Sequence, residues 1–440
     1  MSRTFASLRI RNYRLFAGGQ LVSLTGTWMQ RVGQDWLVLR LTNNSGTAIG
    51  ITTALQFLPI LLLGLQGGVI ADRFSKRKLI LATQVTMGLI ALALGLLDLV
   101  GAATLYDVYL FAFLLGVVTA VDNPTRQAFV SELVGGEELP NAVGLNSATF
   151  NAARIVGPAA AGLLIDGVGT AWVFLGNAAS FIAVITCLLM MRPSELFPAP
   201  RLVRQRGNLR EGLSYVRHRR ELFVPIVLVG VVGTFGLNFQ ITLALVDKVV
   251  FHRGAASFGL LSALLATGAL AGALLGARRT HPTTRLVILG AIAFGVLEVV
   301  AGLMPAFAML GVALVPVGLA NITFSTAANS SVQLASAPEM RGRVMGLYML
   351  VFAGGTPLGA PLVGWVSQEF GARWGLIGGG VVSAGAGAVV LALSLRHAAA
   401  RRYELQVSGA SGRSGRSERS ERSGRSGPAT GPVPVPASAQ

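Results

Sequence analysis

Charged residues are scarce in this sequence. Only 12% of its 440 residues are Asp, Glu, Lys or Arg, whereas soluble globular domains carry about 25%. Long stretches hold almost no charge at all, and 52% of the residues are hydrophobic. Because a charge at the bilayer centre costs about 2.5 kcal/mol or more, this distribution predicts that lipid surrounds most of the chain.

Residues and motifs that support covalent, redox or nucleotide chemistry are also missing. The chain has one cysteine, Cys187, so no disulfide can form within it. Its four histidines do not pair at metal-ligand spacing, and it has no GxxxxGK[ST] phosphate loop. We therefore expect neither an enzyme nor an ATP-driven pump, and no cofactor and no metal ion.

Apolar segments of membrane-spanning length recur along the chain. A span needs about 20 mostly apolar residues. Such segments lie near 14–38, 48–70, 78–101, 105–127, 140–166, 170–191, 222–247, 256–277, 284–304, 306–332, 343–367 and 372–395. They predict an all-α membrane protein with twelve transmembrane helices.

Basic residues decide the predicted orientation. Arg and Lys gather before the first span, after the second, in the middle connection, after the eighth and before the eleventh. Loops on the opposite side hold only Arg40, Lys248, Arg253 and Arg373. The positive-inside rule then predicts a multi-pass protein of the cytoplasmic membrane with both termini in the cytoplasm. The net charge of +17 reflects this topology, and we expect no nucleic-acid partner.

An internal repeat predicts two six-helix halves. The segment GVVTAVDNPTRQAF from Gly116 corresponds to GLANITFSTAANSS from Gly318, and such repeats are typical of secondary transporters. We predict an N-terminal half at 1–191, a cytoplasmic linker at 192–221, a C-terminal half at 222–395 and a disordered basic tail at 396–440. Within the linker, residues 208–218 favour an amphipathic helix on the membrane surface.

The loop after the second span carries the most specific motif. It reads GVIADRFSKRK from Gly68 to Lys78 and resembles the signature loop of the major facilitator superfamily, with Ser75 where the family usually has Gly. A glycine allows close helix approach, and an aspartate can pair with a basic residue in one conformation and release it in another. The resemblance implies a conformational lock at Gly68, Asp72, Arg73, Lys76 and Arg77.

Three longer segments narrow the resemblance. They are TWMQRVGQDWLVLRLT from Thr27, DNPTRQAFVSELV from Asp122 and LPNAVGLNSATFNAARIVGPAAAG from Leu139. They resemble the branch of that superfamily that holds the enterobactin exporter and macrolide-efflux proteins, which implies proton-driven export of amphipathic small molecules. Gly157, Pro158 and Gly162 are similar to the fifth-helix motif of exporters, where proline kinks the helix and small residues let a neighbour approach.

Several charged residues fall inside the predicted spans. Arg31 and Asp35 are four residues apart on one helix, so they share a face. Arg154 lies near the middle of the fifth span and should face the interior, with Asp122, close to Arg126, as the nearest acid. We hypothesise that protonation of Asp35 or Asp122 is coupled to transport. A static ion-pair network is the alternative.

Polar and aromatic residues on the presumed cavity helices suit an amphipathic ligand. They are Gln20, Trp28, Gln30, Gln34, Asn238, Gln240, Asn321 and Phe324. The favoured function is export of a small amphipathic molecule, such as a drug, antibiotic or siderophore, by a monomer that exchanges it for protons. One alternative is a proton-coupled importer of a metabolite or siderophore, and another is a receptor or scaffold that does not transport.

Overall fold

The computed structural model describes residues 3–197, 209–276, 283–396 and Gly431, and this part of the chain is helical with no strand. It divides into two compact units, 1–388 and 389–440, the second of which contains the end of the last helix. The helices are α1 Arg11–Leu41, α2 Gly46–Arg73, α3 Lys76–Leu99, α4 Leu105–Val134, α5 Leu139–Val168, α6 Thr170–Leu189, α7 Leu209–Arg217, α8 Arg220–Phe235, α9 Phe239–Leu245, α10 Ala255–Gly276, α11 Thr284–Gly302, α12 Phe307–Ala335, α13 Pro338–Glu369 and α14 Arg373–Arg396.

Within the described residues, 11 helical segments are long and apolar enough to cross a membrane. One of them, Arg220–Val250, joins α8, α9 and a π-helical turn at Val246–Val250. The long helix α1 is not among the 11 because polar side chains interrupt its apolar surface. With α1 included the spans number twelve, and the predicted fold class is confirmed.

The seventh predicted span differs from the continuous helix expected at 222–247. It breaks at Gly236–Asn238, where the Asn238 side-chain amide donates to the Thr234 carbonyl at 2.7 Å. A Cβ at Gly236 would lie 2.7 Å from the Phe294 ring, so the neighbouring helix α11 fills the space beside the break. The interruption therefore arises from tertiary packing, which apolar periodicity does not report.

Two helix pairs repeat one close approach. A Cβ at Gly116 of α4 would lie 2.5 Å from the Gln56 carbonyl oxygen of α2. At the corresponding Gly318 of α12 the same atom would lie 2.0 Å from the Leu265 carbonyl oxygen of α10. The equivalence found in the sequence thus holds in the packing. It supports the predicted halves at 1–191 and 222–395, whose bounds stay a prediction.

The halves meet at the end of the bundle that carries the loops 42–45, 251–254 and 370–372, which we call the far end. Gly46 of α2 lies against Gly364 of α13, and a Cβ at Gly46 would be 2.5 Å from the Gly364 carbonyl oxygen. The Ser45 hydroxyl donates to the Gln368 side-chain oxygen at 2.7 Å. In the described part of the chain, all hydrogen bonds between the halves lie at this end.

The opposite end carries the loop after Arg73 and is called the basic end. Gly144 near the start of α5 and Gly346 near the start of α13 have open space where a side chain would stand. The hydrogen bonds between the halves named above thus lie at the far end, and we predict that the basic end faces the cytoplasm.

The linker helix α7 lies within the predicted 208–218, and residues 198–208 are outside the described residues. Glu211 pairs with Arg343 of α13 at 3.0 Å, and the Tyr215 hydroxyl accepts from the Ala337 N–H at 3.3 Å. The linker thus contacts the first turns of α13, and its placement on the membrane surface stays a prediction. Among the basic residues used for orientation, those at 278–279 also lie outside the described residues, as does the predicted tail beyond Arg396 except for Gly431.

Candidate functional site

Helix α1 has two distinct faces. One packs on α6, where a Cβ at Gly26 would lie 2.3 Å from the Asn177 side-chain oxygen. An α-helix has 3.6 residues per turn. Trp28, Arg31 and Asp35, which are two, five and nine residues after Gly26, therefore lie on the face opposite α6. The predicted shared face of Arg31 and Asp35 is therefore directed at the interior of the bundle.

Trp28 lies between two arginines. The Arg31 guanidinium carbon is 4.7 Å from the centroid of the Trp28 ring and 5.3 Å from that of Phe57 on α2. The Arg154 guanidinium carbon of α5 is 5.9 Å from the same Trp28 ring. Gly157 brings α5 close, because its Cβ would lie 2.5 Å from the Trp28 Cβ. Both cations therefore face one indole, an arrangement stabilised by cation–π attraction.

Neither arginine has a carboxylate partner among the described residues. Asp35 is buried, with 3% of its surface exposed, yet it forms no ion pair with Arg31. Arginines inside a membrane normally pair with acids or carbonyl groups. The single carboxylate thus balances only part of the positive charge of the two arginines. We call Arg31, Asp35 and Arg154 the charge cluster.

Asp122 is not part of that cluster. One of its carboxylate oxygens accepts from the Thr83 hydroxyl at 2.6 Å and the Gln84 amide at 3.0 Å, and the other accepts from Arg126 at 2.5 Å. The expected partner of Arg154 is therefore occupied by groups from α3 and by the arginine one turn along α4. In this structure Asp122 and Arg126 form an ion pair within one helix.

The residues of the signature loop differ in whether they have partners. Asp72 and Arg73 are exposed, and Asp72 forms no hydrogen bond or ion pair with any described residue. Lys76 pairs with Glu132 of α4 at 2.6 Å. Of the five residues predicted to form the lock, Lys76 thus has a carboxylate partner while Asp72 does not.

The remaining lock residues contact neighbouring helices. Arg77 donates to the Leu188 carbonyl at 2.9 Å, which ties the loop to the end of α6. Gly68 is half-buried, and the close approach of α2 to α4 falls on its neighbour Gly67, whose Cβ would lie 2.0 Å from the Ala120 carbonyl oxygen.

The fifth-helix motif lies between the halves. A Cβ at Gly259 of α10 would be 2.7 Å from the Pro158 carbonyl oxygen, and one at Gly162 would be 2.3 Å from the Ala255 carbonyl oxygen. Pro158 also lacks the N–H that would bond the Arg154 carbonyl one turn earlier. The motif therefore joins α5 to the opposite half and lies directly beside the charge cluster.

An acid that the sequence reasoning missed reinforces this contact. Asp166, at the end of α5, accepts from the backbone N–H groups of Ala255 at 2.9 Å and Ala256 at 3.0 Å. Nearby, the buried Asp247 accepts from the Ser257 hydroxyl at 2.7 Å. Both acids lie near the ends of spans, where charged residues are common, so the sequence does not distinguish them from ordinary loop residues.

A second missed acid is Glu298 of α11. It is 1% exposed, and its Oε2 has no hydrogen-bonding partner among the described residues. Cβ atoms at Gly236 and Gly379 would lie 3.2 and 3.3 Å from its carboxylate oxygens, so the group sits beside the break in the seventh span. A lone acid in the apolar run GVLEVVAG is the signal that identifies it.

Two predicted cavity residues are packing residues in this conformation. The Gln30 side-chain oxygen accepts from Asn177 on α6 at 2.5 Å, because Gln30 lies on the α6 face of α1. Phe324 is 1% exposed and packs against Gly290 of α11, whose Cβ would be 3.3 Å away. In this conformation both side chains contact neighbouring helices, and their assignment to the cavity stays a prediction.

The other predicted cavity residues have mixed surroundings. Gln34 accepts from the Gln56 amide at 2.8 Å, and Gln20 is buried. Asn238 bonds across the helix break, whereas Gln240 and Asn321 are half-buried. A cavity of about 270 Å³ in the C-terminal half has polar and aromatic walls formed by Ser325, Thr326, Asn329, Ser330, Tyr348, Met349 and Phe352.

Comparison with known proteins identifies the family. Residues 2–408 match the family model described as transmembrane secretion effector. The chain is 27% identical over 263 residues to the staphyloferrin A transporter of Staphylococcus aureus, covering 58% of this chain and 64% of that protein, slightly less than two thirds of its length. It is 27% identical over 323 residues to the enterobactin exporter of Shigella flexneri, covering 72% of this chain and 75% of that protein.

A solved structure shares the fold. A bacterial homologue of the human lysosomal transporter Spinster, in an inward-facing and unoccupied conformation, superimposes with a TM-score of 0.69 at 15% identity, covering 88% of this chain and 96% of that chain. The fold, the spans and the family match agree with the resemblance of the signature loop. The chain belongs to the transmembrane secretion effector family, whose members are transporters of the major facilitator superfamily.

Proposed function

We propose that this transporter exports small amphipathic molecules across the cytoplasmic membrane in exchange for protons. The observation that supports this best is the interior charge cluster, in a conformation whose hydrogen bonds between the halves lie at the far end. If the basic end is cytoplasmic, as its arginines predict, this is the conformation in which an exporter takes up its substrate.

Aromatic rings beside the cluster suit the apolar part of such a molecule. Trp28 contacts Phe150 of α5 edge to face at 5.8 Å, and Phe57 lies on the other side of Arg31. Sites for small ligands combine apolar walls with a few polar groups that set orientation. The substrate site is proposed to lie between α1, α2 and α5.

Proton exchange requires an acid that titrates during the cycle. Three buried acids in the described part of the chain form no ion pair. They are Asp35 in the N-terminal half and Asp247 and Glu298 in the C-terminal half, of which Asp247 already accepts from the Ser257 hydroxyl. Asp122 is less suited because all its contacts are made by fixed donors. The signature loop would close the basic end in the opposite conformation, when Asp72 engages a partner.

The proposal is tested with protein reconstituted into vesicles. We would supply enterobactin, staphyloferrin A or a macrolide, since relatives of this chain are named for the first two. Export by exchange predicts uptake into inside-out vesicles that an acid-inside gradient drives and a protonophore abolishes. Accumulation only in right-side-out vesicles with the proton gradient would establish import by symport. Folded protein with no flux in either orientation would favour the receptor or scaffold.

A further inference from the structure

We propose that the substrate of this transporter is an anion, an aromatic or otherwise apolar molecule whose carboxylate or comparable acidic group binds between Arg31 and Arg154. The inference rests on the proposed transport function and names the chemical class of its cargo. It gives these two arginines a direct role in binding substrate, beyond a charge network that only supports proton coupling.

The charges of the interior cluster do not balance. Arg31 and Arg154 both lie against Trp28, at 4.7 and 5.9 Å from its ring centroid. Only one acid, Asp35, shares their surroundings, and it pairs with neither among the described residues. The cluster therefore holds at least one more positive than negative charge, and more if Asp35 is protonated.

Both arginine side chains project from faces of α1 and α5 that pack against each other. Arg31 projects from the face of α1 opposite α6, and Arg154 from the α5 segment where Gly157 fits against Trp28. Both guanidinium groups lie against the Trp28 ring on this face of α1. An excess cation in a membrane interior is costly unless an anion compensates it. The missing negative charge is therefore best supplied by a ligand.

The arginine side chain is chemically suited to bind an acidic group beside aromatic rings. Guanidinium is planar, presents a fork of donors that matches a carboxylate, and stacks on aromatic rings. Here the Arg31 guanidinium carbon lies within 5.3 Å of the ring centroids of Trp28 and Phe57. No carboxylate among the described residues forms an ion pair with it, so its N–H donors stay available to an acidic group. The same rings, with Phe150, offer apolar contact to the rest of the ligand.

Three probes of equal ring size test the sign of the ligand charge. They are 2-naphthoate, 2-naphthamide and 2-naphthylmethylammonium, added to the full chain in phosphatidylcholine nanodiscs, with binding followed by equilibrium dialysis. We expect naphthoate to bind about tenfold or more tightly than the amide, and the ammonium probe most weakly. Phosphatidylcholine carries no net charge, so no anionic lipid headgroup competes.

Variants of the two arginines test whether these residues cause the preference for naphthoate. Arg31→Gln and Arg154→Gln should each remove the preference for naphthoate and leave amide binding unchanged, whereas Arg31→Lys should keep part of it. Arg40→Gln is the matched control, because Arg40 pairs with Asp98 at the far end and lies outside the cluster. Its naphthoate preference should equal that of the unmodified chain.

Equal binding of the three probes, a preference for the cation, or no binding below roughly 1 mM would overturn the proposal. So would naphthoate binding that the glutamine variants retain. If phosphatidylglycerol in the discs abolishes naphthoate binding, the site belongs to a lipid headgroup and the small-molecule proposal is wrong. Binding needs no flux, so failure of the vesicle assay with intact naphthoate binding contradicts only the transport function. Flux of neutral molecules without naphthoate preference contradicts only the anion site.

Discussion

Asp166 at the end of α5 caps the first turn of α10 at Ala255, with its carboxylate oxygen 2.9 Å from the Ala255 nitrogen. The N-terminus of a helix leaves N–H groups unpaired and carries partial positive charge, so a carboxylate there is stabilising. In this protein the carboxylate and the helix belong to opposite halves. The cap therefore exists only while the far end is closed.

Removing this cap should open the far end. In a Cys187→Ser background, Ser45→Cys and Gln368→Cys place two thiols on facing segments whose native side chains form a hydrogen bond across the halves. A cysteine at 368 is shorter than the glutamine it replaces, so a short bifunctional thiol reagent should cross-link the pair while the far end is closed. Adding Asp166→Ala should lower the yield, because losing a helix cap costs about 1 kcal/mol, roughly a fivefold change in the ratio of closed to open molecules.

Asp107→Ala is the control for this experiment. Asp107 caps α4 at the same end of the bundle, with its carboxylate 2.9 Å from the Thr104 N–H, but both groups belong to one helix. This variant should lower the melting temperature without lowering the cross-linking yield. Equal yields with and without Asp166→Ala would show that the cap does not contribute to closure.

Close packing at Gly318 should be essential for stability. An added methyl group would meet the Leu265 carbonyl oxygen at 2.0 Å, a contact that requires α10 and α12 to separate. Gly318→Ala should therefore destabilise the protein by roughly 1–3 kcal/mol, visible as a lower melting temperature in detergent. Gly176→Ala on α6 is the comparison, since open space surrounds it. Its melting temperature should stay equal or rise, and a similar fall in both would contradict the packing argument.

The sequence predicted all twelve spans because hydropathy and length are properties of each segment alone. It also identified the equivalence of Gly116 and Gly318, since a glycine that must admit a backbone carbonyl leaves a repeated pattern. The hydrogen-bonding partner of a side chain depends on tertiary packing, which the sequence does not report. Asp122 was therefore expected to pair with Arg154, whereas its carboxylate accepts from Thr83, Gln84 and Arg126.

The break at Gly236 was missed for the same reason. No proline marks it, and its cause, the packing of α11, belongs to a distant segment. Glu298 is different, because a single acid within an apolar run is visible in the sequence and predicts an interior, functional position.

Asp72 should matter for turnover and little for substrate binding in the conformation described here. Its side chain is exposed and has no partner in the described part of the chain, so Asp72→Asn should leave the melting temperature and probe affinity unchanged. If Asp72 holds the alternate conformation by about 1.4 kcal/mol, maximal flux should fall about tenfold. Vesicle flux and probe dialysis on the same preparation measure both, and unchanged flux would remove the proposed role of the loop.

An anionic cargo restricts which acid can exchange protons. Asp35 is four residues from Arg31 on the interior face of α1. A bound anion would repel an ionised Asp35 and therefore favour its protonated form. Anion and proton would then bind together at this site, and both would cross the membrane in the same direction. Exchange requires the anion and the proton to bind in different steps of the cycle. The acid that carries the exchanged proton should therefore lie outside the charge cluster.

Glu298 meets that condition, and Glu298→Gln separates the possibilities. The carboxylate lies in the opposite half, beside the break between α8 and α9, with no charged partner among the described residues. Glu298→Gln should abolish flux driven by a proton gradient while exchange of labelled for unlabelled substrate continues, because that exchange needs no proton. Asp35→Asn should retain gradient-driven flux. In the unmodified chain, protonation of Asp35 should raise the affinity for naphthoate at acidic pH, and this rise should be absent in Asp35→Asn. The reverse pattern, with gradient coupling lost in Asp35→Asn alone, would place the exchanged proton in the charge cluster and would mean that the cargo is not an anion.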